Sequence, residues 1–315
     1  MKVIFTTILL FVFMASNCAA QKIKPSNNPA ANTTPAKTAA KTDTELQKQI
    51  EQIASEAKGR VGVKAEILET GETVALNGDE RFPMQSVYKL PIGMATFWQV
   101  EQGKLKLDQH VRVEKSDFAR PGQYSPIRDK NPNGTEMTVE ELVEAAISDS
   151  DTTASDVLLR LIGINEVMRY LNNLGVKNIM VADTEQEIGK DWETQYRNWA
   201  TPEGAVELMR AIAERRDKLS EPNQARIMKY LIATPRGLNR LKGLLPVEAV
   251  VAHKPGTSGA RDGITAATND IGIITLPDGR HILIAVFVSD SPADEKTREM
   301  VIAKIAKAAW DKWSR

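Results

Sequence analysis

The chain has 315 residues, which is enough for one large domain or two modest ones. Apolar residues make up 42% and charged residues 26%, proportions that are ordinary for a globular protein. Lys and Arg number 41 together, as do Asp and Glu, so the charge balance indicates neither a nucleic-acid partner nor an anionic membrane surface.

The N-terminus has the pattern of a secretory signal. Lys2 precedes an apolar run at 3–14 that is too short to span a bilayer, and small residues follow it. We therefore predict a signal peptide over residues 1–20, no membrane span, and a flexible linker over residues 21–43, which are rich in Pro, Asn, Ala and Thr.

The only cysteine, Cys18, lies in or beside this signal and allows two interpretations. Cleavage after it leaves a mature chain without cysteine, whereas a lipoprotein would carry Cys18 as its acylated first residue. Asn17 matches poorly the small residue expected before a lipidated cysteine. Neither interpretation permits a disulfide within the mature chain.

The first ordered element is a predicted helix that begins near Asp43. Leu46, Ile50 and Ile53 share one helical face, and Gly59 is suited to end the helix. Two β-branched segments then surround a turn at Gly71 and are predicted to be strands.

The C-terminal end mirrors this beginning. Three β-branched runs predict strands, the last two of them joined by a tight turn at Pro277–Gly279, and a closing helix is predicted from Pro292 to Trp313. The three runs span residues 247–259, 268–276 and 282–289.

The middle of the chain has helical periodicity, with Thr138 and Thr201 as N-caps and Pro202 at the first position of a helix. The predicted fold class is therefore α/β (α+β), a five-stranded antiparallel sheet built from both chain ends and flanked by helices. Its α/β domain comprises residues 44–84 and 232–315, and an all-helical domain at 85–231 is inserted between them. One irregular segment, residues 182–200, is long enough to be functional.

Ser86 and Lys89 form a Ser-x-x-Lys motif at the start of an apolar helix. Three residues apart, they share a helical face, and a lysine drawn into an apolar site can accept a proton. The motif alone is weak, since Ser55 and Lys58 have the same spacing on a predicted solvent-exposed face. A capping serine and a surface lysine remain the alternative.

Two further motifs follow along the chain. Ser148, Asp149 and Ser150 come after a helical pattern, and taken alone they are typical of a helix end and the cap of the next helix. Lys254 and the residues Gly256, Thr257 and Ser258 end a strand, and taken alone they are typical of a glycine turn.

In this order the three motifs resemble those of class A serine β-lactamases, and the resemblance covers residues 43–315. It implies the β-lactamase/transpeptidase-like fold and a catalytic loop at about 182–200. Glu185, seventeen residues before Pro202, corresponds to the glutamate that activates the hydrolytic water. Arg240 resembles the arginine that supports binding of the substrate carboxylate, and Tyr124 the aromatic residue at the cleft entrance.

The resemblance also implies a mechanism. Ser86 attacks the β-lactam carbonyl, with Lys89 or Glu185 as base, and the backbone N–H groups of Ser86 and Thr257 form the oxyanion hole. Ser148, assisted by Lys254, protonates the departing ring nitrogen. Lys254, Thr257 and Arg240 bind the substrate carboxylate.

Several positions depart from the family pattern. Ser150 and Gly189 stand where asparagines are usual, and Asp183 and Asn198 replace the Arg–Asp pair of the loop. Pro255 replaces Thr or Ser, which is compatible with a strand edge that has no partner. Some of these features resemble the branch of PER-type and VEB-type extended-spectrum enzymes, so the loop is expected to be held differently and cephalosporins to be substrates.

The predicted function is therefore hydrolysis of a small-molecule β-lactam by a monomer exported to the periplasm. A penicillin-binding D,D-peptidase and a β-lactam sensor that acylates without turnover are the alternatives. No cofactor and no metal are expected, because His110, His253 and His281 are far apart and form no ligand motif.

Overall fold

The computed structural model describes residues 43–315. The predicted signal peptide, Cys18 and residues 21–42 of the linker lie outside the described residues.

The described chain contains ten α-helices, which carry the labels used below. They are α1 Thr44–Ser55, α2 Lys89–Glu101, α3 Pro126–Lys130, α4 Val139–Glu144, α5 Thr152–Ile162, α6 Ile164–Leu174, α7 Glu185–Ile188, α8 Pro202–Ala213, α9 Glu221–Ala233 and α10 Glu295–Trp313. Short 3-10 helices occur at Gln85–Tyr88, Lys115–Asp117 and Glu193–Tyr196, and a π-helix at Ala145–Asp149.

Eleven strands complete residues 43–315. They are β1 Arg60–Ile67, β2 Thr73–Leu76, β3 Phe82–Pro83, β4 His110–Val113, β5 Thr135–Thr138, β6 Ile179–Met180, β7 Trp199–Ala200, β8 Val250–Thr257, β9 Ala260–Arg261, β10 Ile264–Thr275 and β11 His281–Ser291.

Both chain ends build one antiparallel sheet, as predicted, in the order β2-β1-β11-β10-β8. The prediction of five strands was wrong by one, because the two-residue strand β9 also pairs with β10. Helices α1 and α10 cover one face of the sheet with apolar side chains, and α8 packs against β1, β10 and β11. β10 and β11 are therefore buried along nearly their whole length, while β8 forms an edge.

The inserted part of the chain is organised around α2. Eleven of the thirteen residues of α2 are buried, since α5 and α6 pack against it, and its first residue is Lys89. The segment 85–231 is not all-helical as predicted, because β4 pairs with β5 and β7 pairs with both β3 and β6. These strands are too short to have a periodic sequence signal, and partners distant in sequence stabilise them.

Predicted boundaries and turns differ at two places. α1 ends at Ser55 rather than at Gly59, and Lys58 adopts the left-handed φ of 52°. Gly59 is needed for space instead, because a Cβ there would lie 2.5 Å from the carbonyl oxygen of Ser289. α10 begins at Glu295, capped by Asp294, and not at Pro292.

The other predicted caps and turns are confirmed. Thr138 and Thr201 cap α4 and α8, and Pro202 occupies the first turn of α8. Gly71 and Gly279 have the positive φ of 75° and 88° that their turns require.

Asn198 holds the two ends of the predicted catalytic loop together. Its Oδ1 accepts hydrogen bonds from Ala182 N (2.7 Å) and Asp183 N (2.9 Å), and its Nδ2 donates to Asp183 O (2.9 Å). Its backbone carbonyl accepts from Met84 N at 2.9 Å, which joins the loop base to the segment before Ser86. Asn198 and Asp183, which replace the usual Arg–Asp pair of the family, are thus joined by hydrogen bonds that involve the Asn198 side chain and the Asp183 backbone.

Replacement of Asn198 by alanine is expected to destabilise the protein by about 2–4 kcal/mol, because each buried N–H left unpaired costs about 1–3 kcal/mol. Urea unfolding measures this change. Arg197→Ala is the matched control, since Arg197 pairs with Asp183 at 3.1 Å but its side chain is 64% exposed, and such pairs contribute at most about 1 kcal/mol. Equal losses in the two variants would show that the ion pair closes the loop.

Candidate active site

A cleft of about 820 Å³ contains most of the residues that the sequence analysis selected. Eight of them line it: Ser86, Tyr124, Ser150, Glu185, Arg240, Gly256, Thr257 and Ser258. Lys89 and Lys254 have no exposed surface and lie beneath the residues that line the cleft. The structure therefore brings together groups that are up to 172 positions apart in the chain, from Ser86 to Ser258.

Ser86 lies on the 3-10 turn that leads into α2, with the backbone tightly constrained around it. The preceding residue, Gln85, has the left-handed φ of 48°, which is strained for a residue with a side chain. Gly256 of β8 approaches this turn so closely that a Cβ would lie 2.4 Å from Met84 O and 3.3 Å from Ser86 N. The strand edge and the start of the helix can meet only because position 256 has no side chain.

Lys89 is a fully buried amine with three acceptors. Its Nζ donates to Ser150 O (2.9 Å) and Thr152 Oγ1 (3.1 Å) and lies 3.1 Å from Glu185 Oε1. An ammonium has three protons, so the charged form has a partner for each one. This is the arrangement that a buried cation needs, since an unpaired one is strongly unfavourable.

Ser150, and not Ser148, occupies the place predicted for the proton-donating serine. Lys254 Nζ donates to Ser150 Oγ at 2.8 Å. Ser148 is not among the residues that line the cleft, and its carbonyl accepts a hydrogen bond from Thr234 Oγ1. The prediction that Ser148 is a site residue was therefore wrong.

The reason is an overlap in the sequence, where Ser-Asp-x occurs twice. The second copy is Ser150, Asp151 and Thr152, and Thr152 is its third residue, facing Lys89. A π-helix at Ala145–Asp149 and the left-handed φ of 61° at Ser150 turn this second copy into the cleft. π-helices and strained residues of this kind are frequent at functional sites.

Asp151, the middle residue of the second copy, is structural. It is fully buried, caps α5 through Ala154 N (2.9 Å) and accepts from Ile127 N at 2.8 Å and from Ser125 Oγ. It thus fixes the segment that carries Tyr124 against the start of α5. Tyr124 is 46% exposed at the rim of the cleft, with the Arg236 guanidinium 3.5 Å from its ring centre.

Lys254 lies fully buried on β8. Burial lowers the pKa of its amine well below the ordinary value, and repulsion from Lys89 adds to the effect. Its bond to Ser150 Oγ connects a good proton donor to a hydroxyl that faces the cleft. Lys89 and Lys254 therefore both contact Ser150, Lys89 at its backbone carbonyl and Lys254 at its hydroxyl.

Arg240 is positioned beside the end of β8. Its guanidinium donates to Gly256 O (2.9 Å) and Thr257 Oγ1 (2.7 Å), and Glu299 accepts from its Nε at 3.1 Å. Only 3% of Arg240 is exposed, so it acts on the cleft mainly through the Thr257 hydroxyl.

The hydroxyl of Ser258 makes its hydrogen bonds within its own turn, where it donates to Gly259 O and accepts from Ala267 N.

The edge position of β8 explains Pro255. Ser258 N donates to Ala267 O at 3.0 Å, on the side of β10. N–H groups alternate in direction along a strand, so the backbone nitrogens of Thr257 and Pro255 face away from β10. Pro255 therefore costs the sheet no hydrogen bond, and the Thr257 N–H is directed to the open side, as predicted.

Glu185 is held in the cleft by its backbone. It is 7% exposed and begins α7, and the carboxylate of Asp156 accepts hydrogen bonds from Glu185 N (2.8 Å) and Gln186 N (2.9 Å). Burial raises the pKa of Asp156 to about 7, against the lowering effect of the hydrogen bond from Glu185 N. A second buried polar contact, Gln85 Nε2 to Gln195 Oε1 at 2.8 Å, joins the same loop to the residue before Ser86.

The described residues contain no group of three or more His, Cys, Asp or Glu side chains that could hold a metal ion. Within residues 43–315 no helix has the length and apolar character needed to cross a bilayer.

The comparisons with known proteins agree with this geometry. The sequence profile of the β-lactamase enzyme family matches residues 45–313, most of the chain. The chain belongs to the β-lactamase enzyme family. Solved class A β-lactamases also superpose on it, which confirms the predicted class and fold.

Individual relatives are moderately similar over nearly their full length. The extended-spectrum β-lactamase PER-1 of Pseudomonas aeruginosa is 42% identical over 84% of this chain and 86% of its own. The β-lactamase VEB-1 of the same organism is 39% identical over 84% of this chain and 89% of its own. The crystal structure of the TLA-3 extended-spectrum β-lactamase is 40% identical, with a TM-score of 0.83 over 86% of this chain and 99% of that one.

This β-lactamase is therefore a hydrolase of the β-lactam amide bond, and the D,D-peptidase and sensor alternatives are not favoured.

Sequence reasoning missed three residues that hold the β-lactamase site: Thr152, Asp156 and Gln195. Thr152 could have been found from the second Ser-Asp-x triad. Asp156 and Gln195 had no signal, because a carboxyl on a helix and an amide in a loop are common on any protein surface.

The raised pKa of Asp156 predicts a specific pH dependence of stability. The folded protein holds this proton up to about pH 7, whereas the unfolded chain releases it near the ordinary value of 3.8. The contribution of Asp156 to stability is therefore full below about pH 4 and falls by up to about 4 kcal/mol as the pH rises to 7. Asp156→Asn has no such proton, so its stability relative to wild type should rise across this window.

Chemical unfolding of both proteins at intervals between pH 4 and pH 8 measures the effect. Parallel curves for wild type and variant would show that Asp156 titrates at its ordinary value despite its burial.

Proposed function

We propose that the chain opens β-lactams through a covalent acyl-enzyme on Ser86, with Lys89, Glu185, Ser150 and Lys254 moving the protons. One observation supports this assignment above all. A set of contacting polar groups runs from Glu185 through Lys89 and Ser150 to Lys254, beside the turn that carries Ser86, with Lys89 at the Ser150 carbonyl and Lys254 at the Ser150 hydroxyl. It contains a proton acceptor at one end and a proton donor at the other.

In acylation, Ser86 Oγ bonds to the lactam carbonyl carbon and gives up its proton. Lys89 as an ammonium has no free lone pair, and its three protons already have acceptors. The proton therefore passes to Glu185, either through a water molecule or through Lys89 after Lys89 has given its own proton to Glu185 Oε1 at 3.1 Å. Both routes end with Glu185 protonated.

The collapse of the tetrahedral intermediate breaks the C–N bond, and the departing nitrogen requires a proton. Ser150 Oγ supplies it and is reprotonated by Lys254 Nζ, 2.8 Å away. The lowered pKa of Lys254 makes this transfer easier than it would be for an ordinary lysine. The role that the sequence analysis gave to Ser148 thus passes to Ser150.

The backbone N–H groups of Ser86 and Thr257 stabilise the oxyanion, and each such donor is worth about 3 kcal/mol in the transition state. Thr257 Oγ1 and the ammonium of Lys254 bind the substrate carboxylate, with Arg240 orienting the Thr257 hydroxyl at 2.7 Å. Tyr124 borders the open end of the cleft, where substrate side chains enter.

Before deacylation, Glu185 releases the proton it gained to solvent, and Lys254 regains one from solvent, so the carboxylate is again a base. Glu185 then takes a proton from water as the water oxygen attacks the ester carbon. The C–O bond to Ser86 then breaks, and Ser86 Oγ recovers a proton. This step separates a hydrolase from a protein that is only acylated.

Penicillins and extended-spectrum cephalosporins are the proposed substrates. PER-1 and TLA-3 are described as extended-spectrum enzymes, and the wide cleft of about 820 Å³ accommodates large side chains. We also propose a periplasmic monomer, which periplasmic extraction followed by light scattering would test. Recovery in the cytoplasmic fraction or as a dimer contradicts this part.

Glu185→Ala is expected to acylate but to deacylate about 10²- to 10⁴-fold more slowly than wild type, the usual loss for a general base. Mass spectrometry of the protein mixed with penicillin or an oxyimino-cephalosporin should show a stable adduct on Ser86 only in the variant. Ser86→Ala is the control and forms no adduct. A wild-type protein that also stalls as the adduct would contradict hydrolysis.

Ser150→Ala and Ser148→Ala form a matched pair that tests the choice between the two triads. Ser150→Ala is expected to lower kcat/KM for nitrocefin by about 10²- to 10⁴-fold, because the leaving nitrogen loses its proton donor. Ser148→Ala should keep roughly wild-type kcat/KM, since a substitution without a partner in the site has a small effect. A larger loss of kcat/KM in Ser148→Ala than in Ser150→Ala would show that Ser148 is the proton donor.

A further inference from the structure

We propose that Gln123 is a positioning residue that orients the Glu185 carboxylate for deacylation, from a loop that packs directly against the catalytic loop. The inference rests on the proposed function. It answers the question raised by Gly189, which stands where the family usually has an asparagine that helps to hold the hydrolytic water.

Gly189 is a glycine for reasons of space and not of backbone conformation. Its φ of −72° lies in the ordinary helical region, which any residue adopts. A Cβ there would lie 2.8 Å from Arg120 Cδ and 3.3 Å from Gln123 Nε2. The volume into which a side chain at position 189 would extend is therefore already occupied, and one of the occupying atoms is an amide nitrogen.

Hydrogen bonds fix the orientation of the Gln123 amide. Its Oε1 accepts from Arg120 N at 2.9 Å, so its NH₂ group must face the catalytic loop. There Nε2 donates to Glu185 O at 2.8 Å and lies 3.5 Å from Glu185 Oε2. Gln123 thus places an amide donor beside the same carboxylate that the usual asparagine would serve.

The loop around Gln123 is firmly supported. Arg120 Nε donates to Gln186 O at 3.0 Å, and Tyr124 O accepts from Thr152 N at 3.1 Å. The Gln123 turn therefore contacts the catalytic loop on one side and α5 on the other. Because these contacts fix the Gln123 loop, the Gln123 amide can hold the Glu185 carboxylate without changing its own orientation.

The two oxygens of Glu185 have separate partners as a result. Oε1 faces the Lys89 ammonium at 3.1 Å, and Oε2 faces the Gln123 amide at 3.5 Å. Loss of the amide removes the Gln123 donor from Oε2 and weakens the restraint on the last torsion of the Glu185 side chain. Deacylation depends on Glu185 directing one water molecule at the ester, so this step suffers most.

The test separates acylation from deacylation in the full-length protein. Gln123→Ala should deacylate about 10- to 100-fold more slowly than wild type, the loss expected from misplacing a catalytic group. Its acylation rate, measured by stopped-flow with nitrocefin, should change much less. Acyl-enzyme on Ser86 should consequently accumulate in mass spectra of the variant during turnover.

Gln186→Ala is the matched control. The Gln186 amide anchors the same loop through Ser116 O (2.8 Å) and Phe118 O (3.3 Å), without contacting the Glu185 side chain. Its deacylation rate should stay near that of wild type. If the two variants slow deacylation equally, loop anchoring explains the result and the proposal is overturned.

A complementary exchange provides a rescue. Gly189→Asn alone should slow deacylation, because its Cβ would lie 2.8 Å from Arg120 Cδ, which can move with its flexible side chain, and 3.3 Å from the Gln123 amide, which is fixed by its hydrogen bonds. Gln123→Ala with Gly189→Asn places one amide in the vacated space and should deacylate at least tenfold faster than Gln123→Ala. A double variant no faster than Gln123→Ala overturns the proposal.

The proposal and the proposed function fail in different ways. Absence of turnover or of an adduct in wild type contradicts the function. Wild-type turnover combined with a wild-type deacylation rate in Gln123→Ala contradicts only the role of Gln123.

Discussion

The structure of the site depends on the burial of one ammonium group. Lys89 has no exposed surface, and a cation in such a place is tolerated only if each of its protons has a partner. Its three acceptors come from two segments distant in the chain: the turn from Ser150 to Thr152 at the start of α5, and the catalytic loop at Glu185. The requirement to pair this charge therefore draws the start of α2, the helical insert and the loop to one point, where Ser86 lies.

Bringing these segments together requires unfavourable backbone geometry. Gln85 and Ser150 both have left-handed φ values. Gly256 has no side chain, which allows β8 to approach Ser86 N closely. Strain of this kind costs about 1–3 kcal/mol per residue and persists only where the surroundings determine the conformation. The buried α2 and the edge strand β8 provide that rigidity. Substitutions that relax the strain are therefore expected to raise the free energy of unfolding and to lower the catalytic activity.

The catalytic loop is held mainly by polar contacts. Asn198 closes its base, Asp156 binds the backbone of Glu185, Gln195 bonds to Gln85, and Gln123 donates to the Glu185 carbonyl. Such a network is directional, so it sets the position of a carboxylate more finely than apolar packing does. It also contains a titratable member, Asp156, which links the stability of the folded protein to the proton concentration near neutrality.

The sequence by itself determined the architecture and most of the site. Periodicity indicated a sheet from both chain ends around a helical insert, and local spacing selected Ser86, Lys89 and Lys254, because helical faces and strand ends are properties of neighbouring residues. The resemblance of these motifs to class A serine β-lactamases added Glu185 and Arg240. Only the tertiary structure decided between Ser148 and Ser150, since both begin the same short motif and a π-helix with a left-handed turn selects the second. Only it revealed the short strands and the amide of Gln123 beside Gly189. These depend on pairing between segments distant in the chain, whose distances no local pattern contains.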